Sequence, residues 1–522
     1  MSDVDLVVIG SGPNGLAAAI CAARAGWSVV VLEAQPAPGG AVRSDELTIE
    51  GFTHDTFSAF YPFGVSSPVF DSFDLSRHGL VWRWADIQNA HPAPDGDTAI
   101  IAHDADATEA ALDKLASGDG HAWARYQGLY RQIEEPLVDT LYTPLPNASA
   151  AAKLAWRARK FGLLDFARFG LLSVRRLGDE WFAGEGVRRM LAGLALHSDL
   201  APEAVGSGMY ANMLAWVGQQ YGFPVPEGGA GALSAALVAE LESRGGRVAC
   251  SSRVTDVDID RGRVTAVRIA DGTQIGVRRA VFADIGPPAL FLGLVGEEHL
   301  PAKLMRRLDR FEWGAGAFKI DWALDGAVPW NSEPARRSAT VHLGDSVDDL
   351  SRYANEFTRG LIPDHPYLLL GQQCVADPTR APQGQSTLWG YTHVPTHPQG
   401  DAAGVLGPSW RESAEGFADR CETRIEALAP GFRDRILARR LMTPADLEAR
   451  NANLVGGDIS GGSFAVWQQV VFRPLPGMFR YRTPIRGLYL CSASTHPGGG
   501  VHGGCGAAAF AVARSDARLK RI

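Results

Sequence analysis

Gly10-Ser11-Gly12-Pro13-Asn14-Gly15 carries three glycines in the order G-x-G-x-x-G, and Glu33 closes the next apolar run. Residues of these types at this spacing can hold a pyrophosphate and a ribose. Gly10 permits a tight turn, Gly12 lets the backbone approach the pyrophosphate, and Gly15 lets a helix pack closely on a strand. The start of that helix offers free N–H groups and a positive dipole end to the phosphates. Glu33 can accept hydrogen bonds from the ribose hydroxyls, and its charge repels a 2′-phosphate.

The elements that must position this loop are legible on either side of it. Asp5 to Ile9 reads as a buried parallel strand, Leu16 to Ala23 as a helix that Gly26 ends, and Val29 to Leu32 as a second strand. Strand, glycine turn, helix, strand and acid together make a dinucleotide-binding unit. The glycines at 228–231 precede a helix but follow no strand, so they do not make a second one.

Composition narrows the remaining choices. The chain has 522 residues, enough for roughly two or three structural units. A net charge of −8 argues against a nucleic-acid partner. Cys21, Cys250, Cys374, Cys421, Cys491 and Cys505 are scattered, with no C-x-x-C pair and no zinc spacing. They read as free thiols of a reducing compartment. His393 and His397 flank Pro395, which excludes the regular helix a metal pair would need, so no metal site is expected. The first residues run almost directly into a strand, without the regions of a signal peptide. No window of about 18 apolar residues occurs, so no membrane-spanning helix is expected. The expectation is a cytoplasmic protein.

The rest of the chain alternates between helical and strand-rich stretches. Residues 51–70 are rich in aromatics, Gly, Ser and Pro and read as loop with short helix. From about 107 to 220 the composition turns helical. Within it, residues 151–177 interleave Lys153, Arg157, Arg159, Lys160, Arg168, Arg175 and Arg176 with Trp156, Phe161, Leu163, Leu164, Phe166 and Phe169. Basic amphipathic helices of this kind suit an anionic membrane surface. The same stretch also reads as a helix pair packed on its own domain with a solvated basic face. Ala232 to Ser243 reads as a helix. Arg247–Cys250, Val254–Ile259, Val264–Ile269 and Gln274–Val277 read as an antiparallel meander, with Ala280–Asp284 as a returning strand. Strands and helices then recur from about 300 to 475. Gly487 to Cys491 is a buried strand that runs into a glycine-rich turn and an Ala-rich helix, a further cluster of N–H donors.

Five stretches carry a resemblance to a known family: GSGPNGLAAA at 10–19, LEAQPAPGGAV at 32–42, PEGGAGALSAAL at 226–237 followed by GGRVACSSRV at 245–254, LWGYTHVP at 388–395, and residues 472–506 with their STHPGGGVHGGCG core. The chain resembles the phytoene desaturase and carotene ketolase-like flavoproteins of the amine oxidase superfamily. Within them it is most similar to the branch called pyridine nucleotide-disulfide oxidoreductase domain-containing protein 2. The resemblance implies an α/β fold: a discontinuous Rossmann-like FAD-binding domain, a mixed-sheet substrate domain and a helical subdomain. The FAD-binding domain would comprise residues 1–75, 223–295 and 481–522, with a substrate and helical domain at 76–222 and a substrate domain at 296–480.

FAD is the implied cofactor. Gly10, Gly12, Asn14 and Gly15 correspond to the pyrophosphate loop and Glu33 with Ala34 to the ribose end. Gly39, Gly40 and Val42 correspond to a second FAD loop, where the family usually has Arg directly after the glycine pair; here Ala41 stands there and Arg43 follows two later. Val254 would meet the adenine through its backbone, Ser492 would lie near the phosphates or ribityl chain, and Gly500 and Val501 would lie at the flavin-facing turn. The candidates for catalytic contacts are His502, Asp55 and His393, each of which reads more readily as a structural hydrogen-bond partner.

The resemblance implies desaturation, oxidation or isomerisation of an extended apolar substrate, such as an isoprenoid or polyene, in a long apolar tunnel. Hydride would pass to flavin N5, and the electrons onward to oxygen or a quinone. Residues 151–177 would place the tunnel entrance at a membrane surface, making the protein peripheral. Oxidation of an amine or another small molecule is the alternative. A reading of a different class is a flavin-free lipid-binding escort, as in the Rab escort and GDP-dissociation inhibitor proteins, which the intact glycines and Glu33 disfavour.

Overall fold

The computed structural model describes residues 3–522. Val4–Ile9 forms a strand, Pro13–Arg24 a helix and Val29–Leu32 a second strand parallel to the first. Pro13 sits in the first helical turn, where its missing N–H is no loss. The helix ends as expected, with Gly26 at φ +81°. Val7, Val8, Val30 and Val31 are fully buried, each stabilising the sheet by roughly 1.5–3 kcal/mol relative to an exposed side chain.

The expected meander is corrected at both ends. Arg247–Ala249 does not belong to it but lies parallel beside Val29–Leu32, with Val30 opposite Arg247. At the other end, Gln274–Ala283 is one continuous strand. Its first part pairs antiparallel with Arg263–Ile269, and its last part lies parallel to both Val4–Ile9 and Leu488–Leu490. Arg278 and Arg279 lie inside this strand, between the two segments read from the sequence. In the structure both guanidinium groups reach Asp5, at 3.1 and 3.2 Å, so the charges sit on the first strand rather than in a turn. One sheet therefore draws its strands from segments near the start, middle and end of the chain.

A second sheet runs in the order Ile436–Met442, Gly316–Leu324, Ser386–Val394, Leu368–Gly371, Ser338–Leu343, Ile87–Pro92, Thr98–Ala102. It is mixed: Ser338–Leu343 lies parallel to Ile87–Pro92, while the other neighbours are antiparallel. Helices Asp119–Tyr142, Ala148–Ala158, Leu163–Leu171, Val174–Trp181, Glu185–Ala195 and Ser207–Tyr221 make the helical region. Among the described residues, no helix is long and apolar enough to cross a membrane.

The last helix, Gly504–Arg518, packs on Pro13–Arg24 so closely that a Cβ at Gly506 would lie 1.9 Å from the Asn14 carbonyl oxygen. Backbone cannot yield to that overlap without moving the glycine loop. Gly506→Val is therefore expected to destabilise the protein by about 1–3 kcal/mol or more and to loosen the dinucleotide loop. A thermal melt that matches the wild type would refute this.

Candidate active site

Two cavities meet in the molecule. The first, of about 450 Å³, opens over the glycine loop and is lined by Gly10, Gly12, Asn14, Glu33, Ala34 and Gly40, then by Val254, Ser492, Gly500 and Val501. Ten of the residues expected at the cofactor thus share one wall. Gly15, Gly39 and Val42 do not line it. Gly15 lies under the loop, Gly39 is packed against Ser234, and Val42 is fully buried with its carbonyl accepting from Ser234 Oγ at 2.6 Å. The residues that do face the cleft from this second loop are Gly40, Ala41 and Arg43. Gly40, at φ +57°, brings the second loop against the first: a Cβ there would stand 2.9 Å from Gly12 Cα.

Glu33 is buried at the far end. Its carboxylate accepts from Ser11 N–H at 2.9 Å, from Ser11 Oγ at 2.6 Å and from Gln35 N–H at 2.8 Å, which fixes it at the ribose position. The cleft wall also holds buried polar atoms without a protein partner: Asn14 Oδ1, Ser494 Oγ and Arg43 Nε. Unsatisfied groups of this kind are rare in folded proteins and point to a ligand.

Asp284 lies beneath the loop, accepting Gly15 N–H on Oδ2 at 2.9 Å. Burial pushes its carboxyl well above the usual carboxylate range, and nearby Glu33 adds to the shift. Holding the proton to higher pH lessens the negative charge beneath the glycine loop.

The second cavity, of about 300 Å³, adjoins the first at Ala41, Leu454, Ile459, Gly499, Gly500 and Val501, which line both. Its floor is one face of the second sheet, with Ala317, Lys319, Thr340, His342, Leu369, Trp389 and Tyr391. Phe57, Phe60 and Phe63 from the early loop, with Leu194, Tyr210, Met213 and Leu214 from the helices, complete the wall. Most of the lining is apolar, and among the described residues no carboxylate faces this space. The volume is at the low end for a ligand pocket, so the long tunnel expected from the sequence is here a compact chamber.

The three expected catalytic side chains are not on the wall of either cavity. His502 Nδ1 accepts Gly504 N–H at 2.9 Å, with its ring edge-on to Tyr142, and burial holds the imidazole down at about 4. Asp55 forms a buried ion pair with Arg380 at 3.1 Å and accepts Ala230 N–H at 2.7 Å at the start of the Ala230–Ser243 helix. His393 is buried past Tyr391, beside Phe357, where desolvation lowers its basicity. His502 and Asp55 hold backbone together behind the site, whereas His393 packs there through ring contacts alone, both its nitrogens buried without a partner.

Lys319, His197 and His342 face the second cavity and were not anticipated from the sequence. Lys319 is paired with Asp321, whose other oxygen lies 3.7 Å from His54 Nδ1. Burial lowers the Lys319 ammonium and, against the pull of Lys319, pushes the Asp321 carboxyl up to about 6. A signal existed for this pair. Lys319 and Asp321 alternate on one face of an otherwise apolar strand, and a lone charge pair there must be buried together. Nothing local marks His197 or His342.

Comparison with known proteins follows the same lines. Residues 8–74 match the family model of an NAD(P)-binding Rossmann-like domain. The mouse pyridine nucleotide-disulfide oxidoreductase domain-containing protein 2 is 29% identical, over 98% of this chain and 94% of its own. A neurosporene-forming phytoene desaturase of Cereibacter sphaeroides is 25% identical, over 97% of this chain and 94% of its own. Over nearly its full length the chain is thus similar to phytoene desaturase-like oxidoreductases. The crystal structure of an oxidoreductase from Methanosarcina mazei shares the fold, with a TM-score of 0.63, 15% identity, and coverage of 98% of this chain and 99% of the other. FAD is the cofactor of this oxidoreductase, and the cleft fits it: one wall offers a pyrophosphate loop, a ribose acceptor and unpartnered donors and acceptors that lead to the Gly499–Val501 junction.

Asp284 gives the cleft a pH dependence. Its folded pKa stands above the unfolded value of about 3.9. The stability it lends is therefore complete below that value and is lost as pH rises through the raised folded value. Asp284→Asn keeps an acceptor for Gly15 N–H and removes the titration. In a series of melts from acid to alkaline buffer, the variant is expected to lose less stability than the wild type on the alkaline side. Parallel curves would remove Asp284 from this role.

Proposed function

We propose that this oxidoreductase oxidises an apolar, isoprenoid-like substrate by desaturation. The observation that carries the reading is the compact apolar chamber, free of carboxylates, that adjoins the FAD cleft at Gly499, Gly500 and Val501. FAD, when bound, supplies the hydride acceptor, and oxygen or a quinone takes the electrons afterwards. Gly10, Gly12, Asn14 and Glu33 hold the cofactor, and Phe57, Phe60, Leu214 and Tyr391 exclude water and orient the reacting segment of the substrate. The rest of an extended substrate would lie toward the mouth. The Lys319–Asp321 ion pair on the chamber floor is placed to take up the proton lost from the neighbouring carbon, the Lys319 ammonium passing a proton to the Asp321 carboxylate as it receives one.

The chamber disfavours an amine substrate. No carboxylate stands ready to hold an ammonium, and Lys319 is a cationic group on the same wall. Adding an isoprenoid hydrocarbon to the anaerobic holoprotein is expected to bleach the visible flavin band, with small amines leaving it unchanged. Bleaching by amines alone would overturn the reading.

We also propose that the substrate enters from a lipid surface. Trp156, Leu163, Leu164 and Leu171 are exposed on the helices at 148–171, and Val205, Met209, Trp467, Val470, Val471 and Phe472 are exposed on adjoining segments. The segments touch: Gly206 N–H bonds the Leu171 carbonyl at 3.2 Å, and a Cβ at Gly206 would lie 2.8 Å from Val466. Tyr210 and Phe464 of the chamber wall stack edge to face just inside. Many of the cations in 151–177 are paired: Lys153 and Arg157 with Glu135, Arg168 and Arg176 with Glu180, Arg175 with Glu203. Attachment should therefore rest on apolar burial rather than on anionic lipid. In flotation assays, neutral phosphatidylcholine vesicles are expected to carry the protein, and the Leu164→Asp, Trp467→Asp double variant to bind at least about tenfold more weakly. Binding that needs anionic lipid, or that survives both substitutions, would contradict this.

A further inference from the structure

One end of the substrate chamber is polar, and its arrangement suggests what the substrate carries. His197 follows the Glu185–Ala195 helix, and His342 lies on the Ser338–Leu343 strand of the floor. Their Nε2 atoms face each other at 3.0 Å, with ring centroids 4.8 Å apart. His342 is buried against His91 and Tyr367. Those neighbours are themselves fixed: Tyr367 donates to the Gly193 carbonyl at 2.8 Å, and His91 Nε2 donates to the Gly344 carbonyl at 3.0 Å. His197, by contrast, is only partly buried and presents surface to the chamber.

The contact fixes the tautomers. Burial holds both imidazoles well below their ordinary basicity, so both are neutral, and one Nε2 must donate to the other. His342 Nδ1 is buried with no partner. If His342 Nε2 donates, the nitrogen left orphaned is a bare acceptor. If it accepts, the orphan is an N–H, the costlier group to bury unpaired. The first arrangement is therefore favoured. His197 then accepts at Nε2 and carries its proton on Nδ1, which has no protein partner among the described residues.

Several other polar groups on the wall are committed. Thr340 Oγ1 donates to the Gln88 carbonyl and accepts from Asn89, Ser198 Oγ donates to the Ala195 carbonyl, and Lys319 is held by Asp321. His197 is left as a spare donor at this end of the cavity, and the Tyr210 and Tyr391 hydroxyls, which also line it, are further donors without a protein partner among the described residues. We infer that His197, oriented by His342, is a specificity site for a hydrogen-bond-accepting oxygen, so that the preferred ligand is an apolar isoprenoid bearing a carbonyl. This rests on the apolar-substrate reading above and adds the position and chemistry of its polar end.

The test uses the intact holoprotein and a pair of probes, a fifteen-carbon isoprenoid ketone and the hydrocarbon of the same skeleton. Affinity is read anaerobically from the shift each probe causes in the flavin visible spectrum. The wild type is expected to bind the ketone about tenfold more tightly than the hydrocarbon. His197→Phe should abolish that preference while leaving hydrocarbon affinity within about twofold of the wild type. His197→Asn, which keeps a donor, should restore part of it and guards against a folding defect in the phenylalanine variant. Equal affinities in the wild type, or a preference that survives His197→Phe, would overturn the inference and leave the apolar-substrate reading standing. Binding of neither probe by the wild type would overturn both.

Discussion

The structure depends on the close approach of backbones around the Gly10–Gly15 loop. Gly40 presses the second loop on Gly12, Asp284 takes the Gly15 N–H, and Gly506 brings the last helix onto the Asn14 carbonyl. None of these contacts leaves room for a side chain. Together they tie segments from the start, middle and end of the chain to one helix N-terminus, where the free N–H groups and the dipole favour a phosphate. The sheet beneath supplies rigidity, because Gln274–Ala283 pairs on both sides of Asp284's approach, with Val4–Ile9 and with Leu488–Leu490.

Everything on the substrate side is hung from that anchor. The Gly499–Val501 turn, which leads from Leu488–Leu490 into the last helix, belongs to both cavities and so sets where bound cofactor meets substrate. The second sheet provides a flat floor on which apolar rings surround a few polar groups. In so dry a space charge is expensive, and the charges that remain are paired, as with Lys319 and Asp321, or neutralised by burial, as with His197 and His342. The buried Asp55, Arg380 and Asp377 cluster does comparable work behind the wall, joining the early loop to the Ala230–Ser243 helix.

Much of the cofactor side was legible from residue order because it is local chemistry. A glycine spacing, a short β-branched run and an acid at the end of the next strand describe one turn and its neighbours, and they predict Gly10, Gly12, Asn14 and Glu33 on the cleft wall. The resemblance extended this to Val254, Ser492, Gly500 and Val501, which also lie there. It did not distinguish a residue facing the cleft from its buried neighbour: Val42 points into the core, whereas Ala41 and Arg43 face the cavity. The meander failed for a related reason. A strand that changes partners halfway along reads locally as two strands, and Arg278 and Arg279 mark the change only because Asp5 is brought to them.

The amino-acid sequence by itself determined the dinucleotide loop and the alternation of strands and helices, since short-range sterics and periodicity decide both, while the FAD reading came from the resemblance to a known family. The tertiary structure decided which side chains line the second cavity. His502 and Asp55 had suitable chemistry but face protein partners and His393 is packed among rings, whereas Lys319, His197 and His342 face the chamber. His197 and His342 are far apart in the chain, and only the packing of a helix end over a sheet brings their nitrogens to 3.0 Å. The charge of residues 151–177 was likewise plain in the sequence, while its pairing with Glu135 and Glu180 required the fold. Side-chain direction and long-range pairing follow from how elements pack, and no local pattern encodes them.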